Sequence, residues 1–376
     1  MKKRFHYLDI LKFIAIFCVC FYHFAQVPVD LSSGFSISVL ANRGLFTLCS
    51  VCVPLFMMVN GALLLNRPLN IKRHYCNLAF FFAVYWVWRI ITFALLGAQA
   101  GYDFSGLGVE GLINHLVLML DFGKPLLVDH FWFIIVYIRI QLILPLFKFL
   151  FDADKKDFSV CTLVIMAAIW ISCFAVRDYR IIAAALPQSL SALNTDSLSA
   201  YSPFNDIYGI MVFYFILGGV LIRCSERLKR LSAAVYAAIF AAAATVQTLL
   251  YVLEHMTYGS GTDLVFGRYN TTTTIVMCIS LFMLAGACEN LFEKHHRFFA
   301  VFEAAGQHTI SIFYMHWLAG KLVLPALNLP SGYPVSVAAI SAMVFICTAI
   351  SLVGRKIPVI KYLFGAVPHT KDVKSA

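Results

Sequence analysis

Residues 8–28 read LDILKFIAIFCVCFYHFAQVP, and this stretch decides the fold. It is apolar over about the length that crosses a bilayer as a helix, yet it contains the ionisable residues Lys12 and His23. Eleven helical residues return the chain to nearly the same face, about 16 Å further along the axis. The stretch therefore predicts a first membrane span with a cation near one end and an imidazole towards the other. Ionisable groups inside a membrane are usually functional.

The rest of the chain is just as apolar. Of its 376 residues, 61% are hydrophobic and 13% are charged, whereas a soluble domain has about 25% charged residues. Hydrophobic runs long enough to span a bilayer follow one another nearly from end to end, which leaves no room for a large soluble domain. We predict an all-α, polytopic membrane helix bundle that forms one domain over residues 1–376. Its ten predicted transmembrane helices cover about residues 8–28, 45–65, 77–98, 130–150, 158–176, 206–222, 232–253, 270–288, 307–327 and 333–353.

The distribution of basic residues sets the orientation of the bundle. With a cytoplasmic N-terminus, nineteen Lys and Arg residues fall in cytoplasmic segments and five in outer segments, as the positive-inside rule requires. The net charge of +10 therefore indicates membrane topology and not binding to nucleic acid. We predict that both termini are cytoplasmic and that the first span is not cleaved. In the long outer loop, residues 108–122 are predicted to form an amphipathic surface helix.

Several cations lie inside the predicted spans. Arg89 and Arg139 are near the middle of spans 3 and 4, Lys12 is about one turn inside span 1, and we expect no Asp or Glu at comparable depth. Uncompensated cations in a bundle call for an anion, such as a phosphate, a carboxylate or an oxyanion formed during a reaction. Snorkelling of the long side chain to the interface is the alternative: for Lys12 it rivals a functional role, and for Lys148 and Lys321, near the ends of spans, it is the favoured interpretation.

Three histidines lie in or at the mouth of the spans. His23 either acts in catalysis, relays protons in a transporter, or bonds a neighbouring helix as a neutral ring. His316 lies in the middle of span 9. His130 lies at the outer mouth of span 4, on the same helix face as Trp132, whose position also fits an aromatic belt.

Two short motifs, one basic and one with two cysteines, each have a functional and a structural interpretation. Lys72 and Arg73, in the loop before span 3, either grip the phosphates of a cofactor or belong to an ordinary positive-inside loop. Cys49 and Cys52 form a CxxC motif, but it opens a membrane helix and has no second pair. We interpret these cysteines as packing residues and predict no metal site.

Four stretches, in chain order, resemble motifs of the integral-membrane acyltransferase-3 family, which O-acylates glycans. Lys12 to His23 resembles the span 1 motif of a basic residue followed by ten residues and a His, and residues 50–61 are similar to the span 2 signature. Residues 129–146, which include His130-Phe131-Trp132-Phe133, resemble the span 4 stretch. Residues 306–316, ending Ile-Phe-Tyr-Met-His, resemble the span 9 segment. The resemblance covers nearly the whole chain. Within the family, the chain resembles the enterobacterial-common-antigen O-acetyltransferase and the exopolysaccharide acyltransferases.

The resemblance implies an O-acyltransferase that takes an acetyl group from cytoplasmic acetyl-CoA and passes it to a hydroxyl of a cell-surface or lipid-linked glycan. It implies that His23 is the base or carries the acyl group, with Arg89 and Arg139 as further catalytic residues. The residues implied to bind the donor are Lys12, Lys72 and Arg73. Those implied to shape the site are Asn60, His130, Trp132, Tyr314 and His316. Lys12 stands where the family more often has Arg, Asn60 where it has Ser, and Asn77 where it has a second Arg.

The expected partners follow from the same resemblance. They are the lipid bilayer, the glycan acceptor, acyl-CoA and proteins of polysaccharide synthesis, in a bacterial inner membrane and with no metal or prosthetic group. The residues leave two other functions open. A transporter or flippase of a lipid-linked saccharide fits the spans and the intramembrane histidines, although we find no internal repeat that would favour it. The second function left open is that of a non-catalytic scaffold in a complex that synthesises a polysaccharide. The sequence does not distinguish acetyl from succinyl transfer.

Overall fold

The computed structural model describes residues 5–26, 36–101, 108, 129–153, 160–183, 203–204, 206–225, 231–258 and 269–366. Every regular element in these ranges is helical, so the all-α prediction is confirmed. The helices are α1 (His6–Phe24), α2 (Ile37–Cys49), α3 (Cys52–Leu65), α4 (Ile71–Gln99), α5 (Trp132–Asp152), α6 (Val160–Ile169), α7 (Val176–Ala183), α8 (Asp206–Arg223), α9 (Ala233–Tyr258), α10 (Thr272–Ala287), α11 (Glu289–Lys294), α12 (His296–Gln307), α13 (Thr309–Leu318), α14 (Leu324–Ala326) and α15 (Tyr333–Gly354). The predicted surface helix over residues 108–122 lies outside the described residues apart from Gly108.

Shorter helical turns connect or flank these helices. A π-helical segment, Trp170–Ala175, joins α6 to α7, and a second, Ala319–Val323, joins α13 to α14. A 3-10 turn, Asp129–Phe131, precedes α5 directly. Another, Ile360–Tyr362, follows α15.

Among the described residues, seven helical segments are long and apolar enough to cross a membrane. They are His6–Phe24, Ile37–Leu65, Ile71–Gln99, Trp132–Asp152, Val160–Ala183, Ala233–Leu253 and Tyr333–Gly354. Two shorter helices, α8 and α10, are also apolar. The chain is therefore a multi-pass membrane protein. The count of ten spans and the side on which each terminus lies stay predictions.

The segment that contains the second predicted span differs from its prediction. We predicted a span over residues 45–65, whereas the helical segment begins at Ile37 and is interrupted at Ser50 and Val51. The Ser50 hydroxyl donates to the carbonyl oxygen of Thr47 at 2.7 Å, a local bond that competes with the helical pattern. Because the helical segment begins at Ile37, Arg43 lies in a helix and is buried, whereas the predicted start of the span at residue 45 placed it in an outer segment.

The chain forms two compact units. Unit 1 comprises Met1–Leu69, Leu144–Gln307 and Ser331–Ile340, and unit 2 comprises Asn70–Ile143, His308–Pro330 and Ser341–Ala376. Because both units contain residues from distant parts of the sequence, each is held together by tertiary packing and not by chain continuity.

In unit 1, glycines allow close packing of helices. A Cβ on Gly61 would lie 1.7 Å from the carbonyl oxygen of Phe215, and a Cβ on Gly218 would lie 1.9 Å from that of Met58. Small residues let membrane helices approach this closely. The α3–α8 pair therefore depends on both glycines.

In unit 2, the turn that follows α15 packs on α4 and α13. The Trp88 indole N–H donates to the carbonyl oxygen of Leu363 at 2.8 Å, and the Ser311 hydroxyl donates to that of Phe364 at 3.0 Å. The Trp88 ring also stacks on Tyr314, with ring centres 5.6 Å apart. These contacts fix the face of α4 that carries Trp88, and so hold in place the turn of helix to which the next residue, Arg89, belongs.

Candidate active site

His23 lies in the last turn of α1, in unit 1, and its side chain is exposed. Its ring packs edge-on against Tyr22 at 5.3 Å. Two hydrogen bonds of the Gln26 backbone anchor the chain just beyond the helix. Its N–H donates to the Ser336 hydroxyl at 3.0 Å, and its carbonyl oxygen accepts from the backbone N–H of Gly332 at 2.9 Å. His23 is thus an accessible imidazole at a helix end that is held in place.

Lys12 lies two turns from the start of α1 and is paired with a carboxylate. Its ammonium nitrogen is 2.7 Å from an Asp9 oxygen, one turn earlier on the same helix. The other Asp9 oxygen accepts from the Gln307 amide at 3.3 Å. The expectation that no acidic residue lies at the depth of Lys12 is therefore wrong. Sequence position placed Asp9 at the end of the span, whereas the residue is buried beside Lys12.

Two further carboxylates hold the same end of α1. The Glu289 carboxylate accepts from the backbone N–H groups of His6 and Tyr7, at 2.9 and 2.8 Å, which caps the helix from a distant part of the chain. Glu303 lies 2.9 Å from the His6 ring. The N-terminal end of α1 is therefore fixed by acidic groups, none of which the sequence analysis singled out as partners.

Asn60 is the third predicted site residue in unit 1. It lies in α3 and is half-buried. Its side-chain amide donates to the carbonyl oxygen of Phe56 at 2.8 Å, within its own helix. This hydrogen bond fixes the orientation of the Asn60 side chain, so that its Oδ1 atom points away from the helix backbone.

Arg89 lies in α4, in unit 2, and is only 4% exposed. Its guanidinium donates to the hydroxyl of Tyr85, one turn earlier, and lies 5.7 and 5.8 Å from the ring centres of Tyr85 and Trp86. Aromatic faces attract a cation, more strongly where water is excluded. The guanidinium is therefore oriented before any ligand binds.

His130 and His316 form a buried pair in unit 2. They are 3% and 0% exposed, and their ring centres lie 5.4 Å apart. The His130 ring stacks on Trp317 at 4.7 Å. Nδ1 of His316 is 2.5 Å from the carbonyl oxygen of Phe313, and since a carbonyl oxygen only accepts, Nδ1 carries the proton. In the neutral ring the lone pair is then on Nε2.

Aromatic side chains connect the histidine pair with the helix that carries Arg89. We call this set the aromatic cluster, and its members are Tyr85, Trp88, Phe131, Phe313, Tyr314 and Trp317. Tyr314 is 1% exposed, and its hydroxyl has no hydrogen-bond partner among the described residues. A buried hydroxyl without a partner is costly, which makes it a candidate donor to a substrate.

The remaining predicted residues lie nearer the surface of unit 2. Arg139 is exposed near the middle of α5, and Trp132 is half-buried at the start of that helix. Lys72 and Arg73 are exposed in the first turn of α4, where the Asn70 side chain accepts from the backbone N–H of Arg73 at 2.9 Å. The described residues contain no group of three His, Cys, Asp or Glu side chains arranged as metal ligands.

The structure thus brings part of the predicted site together. In unit 2 it groups His130, Tyr314 and His316, while Lys12, Asn60 and His23 belong to unit 1. Sequence reasoning missed Asp9 and Tyr85 as partners of the two cations. The spacing of three and four residues on a helix was the available signal, since such pairs lie on one face.

The model of the acyltransferase-3 family, described as an acyltransferase domain, matches residues 5–353. No curated protein and no solved structure matches the chain.

Proposed function

Because the chain belongs to the acyltransferase-3 family of membrane acyltransferases, we propose that it moves an acetyl group from cytoplasmic acetyl-CoA to a hydroxyl of a cell-surface or lipid-linked glycan. The membrane would be the inner membrane of a bacterium, and the proteins that synthesise the glycan would be its partners.

The observation that carries the proposal is the arrangement of α1. An exposed imidazole, His23, lies in its last turn, and a cation, Lys12, lies eleven residues earlier on the same face, about 16 Å away. An acyl transfer across a membrane needs a group that holds an anionic donor on one side and a base for the hydroxyl on the other. One helix supplies both.

His23 is proposed as the group that reacts. As a general base, its neutral ring accepts the proton of the acceptor hydroxyl while the oxygen attacks the thioester carbonyl. The C–S bond then breaks, and the imidazolium returns the proton to the sulfur so that CoA leaves as the thiol. As an acyl carrier, a ring nitrogen attacks the thioester first, CoA leaves as the thiol, and the hydroxyl then takes the acyl group and restores the imidazole. Histidine suits both routes because its unperturbed pKa lies near neutrality.

The arginines are proposed to stabilise negative charge. Arg89 is already oriented by the Tyr85 hydroxyl, so it meets an oxyanion without reorganisation, which is the property that makes such groups effective. Arg139 is assigned the same class of role or a phosphate contact. Lys12, Lys72 and Arg73 are assigned to the phosphates of the donor, which a guanidinium or ammonium binds well.

The histidine pair and Tyr314 are proposed to shape the site. His130 and His316 are held by ring stacking and a backbone carbonyl, so they present fixed nitrogen atoms. The Tyr314 hydroxyl, which lacks a hydrogen-bond partner among the described residues, is the proposed donor to an acyl or sugar oxygen. Trp132 and Asn60 complete the proposed set.

The proposal is tested with membrane vesicles that contain the wild-type protein, its His23→Ala variant or its His296→Ala variant. Radiolabelled acetyl-CoA is supplied with a native acceptor, and label is followed into the glycan and lipid-linked fractions. We expect transfer by the wild type and by His296→Ala, a matched control because His296 is an exposed histidine on α12. Transfer should vanish in His23→Ala at equal membrane abundance.

Two results would count against the proposal. Full transfer by a folded His23→Ala protein would remove His23 from the mechanism. Absence of transfer by the wild type, with succinyl-CoA also supplied, would favour the transporter or flippase, which moves its substrate without consuming a donor.

A further inference from the structure

The Asp9 carboxylate is held more firmly than the lysine it pairs with. One oxygen contacts the Lys12 ammonium at 2.7 Å and the other accepts from Gln307 at 3.3 Å. The Asp9 backbone is also closely packed, since a Cβ on Gly306 would lie 1.9 Å from its carbonyl oxygen. Lys12 has a flexible four-carbon stem and a side chain that is 22% exposed. Lys12 is therefore the partner that can change position.

Three carboxylates, those of Asp9, Glu289 and Glu303, lie at the N-terminal end of α1, and the Asp9 carboxylate contacts Lys12. Glu289 and Glu303 contact the first turn of the helix and the His6 ring. An anionic donor that approaches Lys12 meets an ammonium whose charge is already balanced by the Asp9 carboxylate, 2.7 Å away. It gains the full attraction of that ammonium only if the Asp9 contact is given up.

We infer that Asp9 competes with the phosphates of the acyl-CoA donor for Lys12, and so lowers the affinity of the protein for the donor. The inference rests on the proposed function, in which Lys12 contacts the donor. Without donor, Lys12 pairs with Asp9; with donor, its ammonium swings to a phosphate while the carboxylate keeps the Gln307 amide. The ammonium has one anionic partner in either state. Asp9 takes no part in the transfer itself.

The variant Asp9→Asn removes the negative charge of the side chain and nearly preserves its size and shape. Its side-chain oxygen still accepts from Gln307, but it no longer holds the ammonium by charge. We expect the Kd for CoA and the KM for acetyl-CoA to fall about two- to fivefold, the factor that corresponds to a part-exposed ion pair, with kcat unchanged. CoA binding is measured on purified protein in lipid nanodiscs, and the kinetic constants are measured as vesicle transfer rates.

A matched control exists in the same unit. Asp152 pairs with Lys148 one turn earlier, at 2.5 Å, and with Arg223 of α8, so Asp152→Asn also removes the acid of an intrahelical pair, together with one contact to a neighbouring helix. It should leave the Kd for CoA unchanged. A second control is Asp9→Asn in a Lys12→Gln background, where the gain in affinity should disappear if it acts through Lys12.

Unchanged or weaker CoA binding by Asp9→Asn would overturn the inference, because Asp9 would then be a structural partner of Lys12 or would orient it for the donor. If Asp9→Asn fails to accumulate in membranes, Asp9→Ser is measured in the same way with the same expectation. Wild type that binds CoA without transferring acetyl would overturn the proposed reaction alone, since the binding comparison still tests the exchange. Wild type that does not bind CoA would overturn the exchange itself.

Discussion

The end of α1 in unit 1 and the aromatic cluster in unit 2 hold histidine in opposite ways. His23 is exposed in the last turn of its helix, whereas His130 and His316 are 3% and 0% exposed. A group that exchanges a proton or an acyl group with a substrate must be reached by it. A group that fixes the shape of a site must be packed. We therefore assign chemistry to the exposed histidine and positioning to the buried pair, and the predictions below test that division.

The largest expected difference between the two regions is in stability. His316→Ala removes a fully buried ring from the aromatic cluster, so we expect a loss of about 2–4 kcal/mol in the free energy of unfolding and a lower membrane abundance. His23→Ala removes an exposed ring and should leave both unchanged. The measurement is the thermal unfolding of the two purified variants in the same detergent. Equal shifts in Tm would contradict the division.

Chemical accessibility sharpens the comparison without changing any residue. The His23 ring should react with diethyl pyrocarbonate at least about ten times faster than the His316 ring, because a buried group reacts only when the fold opens around it. Mass spectrometry of the modified peptides gives both rates from one sample. His296 is exposed and serves as the reference for the reaction rate of an accessible imidazole. A His316 rate near that of His296 would show that the aromatic cluster opens readily.

The sequence was sufficient for the class of fold and for the family. The lengths of the hydrophobic runs predicted an all-α membrane protein, and the motifs around Lys12, His23 and His316 identified the acyltransferase-3 resemblance that the family model confirms. These features are local, so a single sequence displays them.

The residues that contact the site residues were harder to predict from the sequence. Sequence reasoning missed the contact between Asp9 and Lys12 because it estimated the depth of each residue in the membrane from its position along the span. The packing of the helices, which buries Asp9, does not follow from that position. The stack of His130 on Trp317, and the bond from Trp88 to the carbonyl of Leu363, join residues far apart in the chain. Tertiary packing creates such contacts, and no local pattern indicates them.

Arg89→Lys tests whether the orientation of a cation in unit 2 matters as much as its charge. Lysine keeps the charge but loses the planar group that bonds the Tyr85 hydroxyl and lies near two aromatic rings. We expect acetyl transfer to fall about tenfold, which corresponds to the loss of one oriented contact to developing charge. Membrane abundance should stay near that of the wild type. Full transfer by Arg89→Lys would show that charge alone suffices at this position.

Tyr314→Phe is expected to have the smallest effect on the fold, and for that reason it separates positioning from packing most clearly. The ring keeps its stack on Trp88, and the hydroxyl that is lost has no hydrogen-bond partner among the described residues. Removing a buried polar group of this kind should leave the unfolding free energy unchanged or raise it by up to about 1 kcal/mol. If the hydroxyl donates to a substrate, transfer falls although stability does not, and the comparison is made on the same nanodisc preparation. A loss of stability would mean that the hydroxyl has a structural partner, and the aromatic cluster would then be a packing element without a substrate contact at Tyr314.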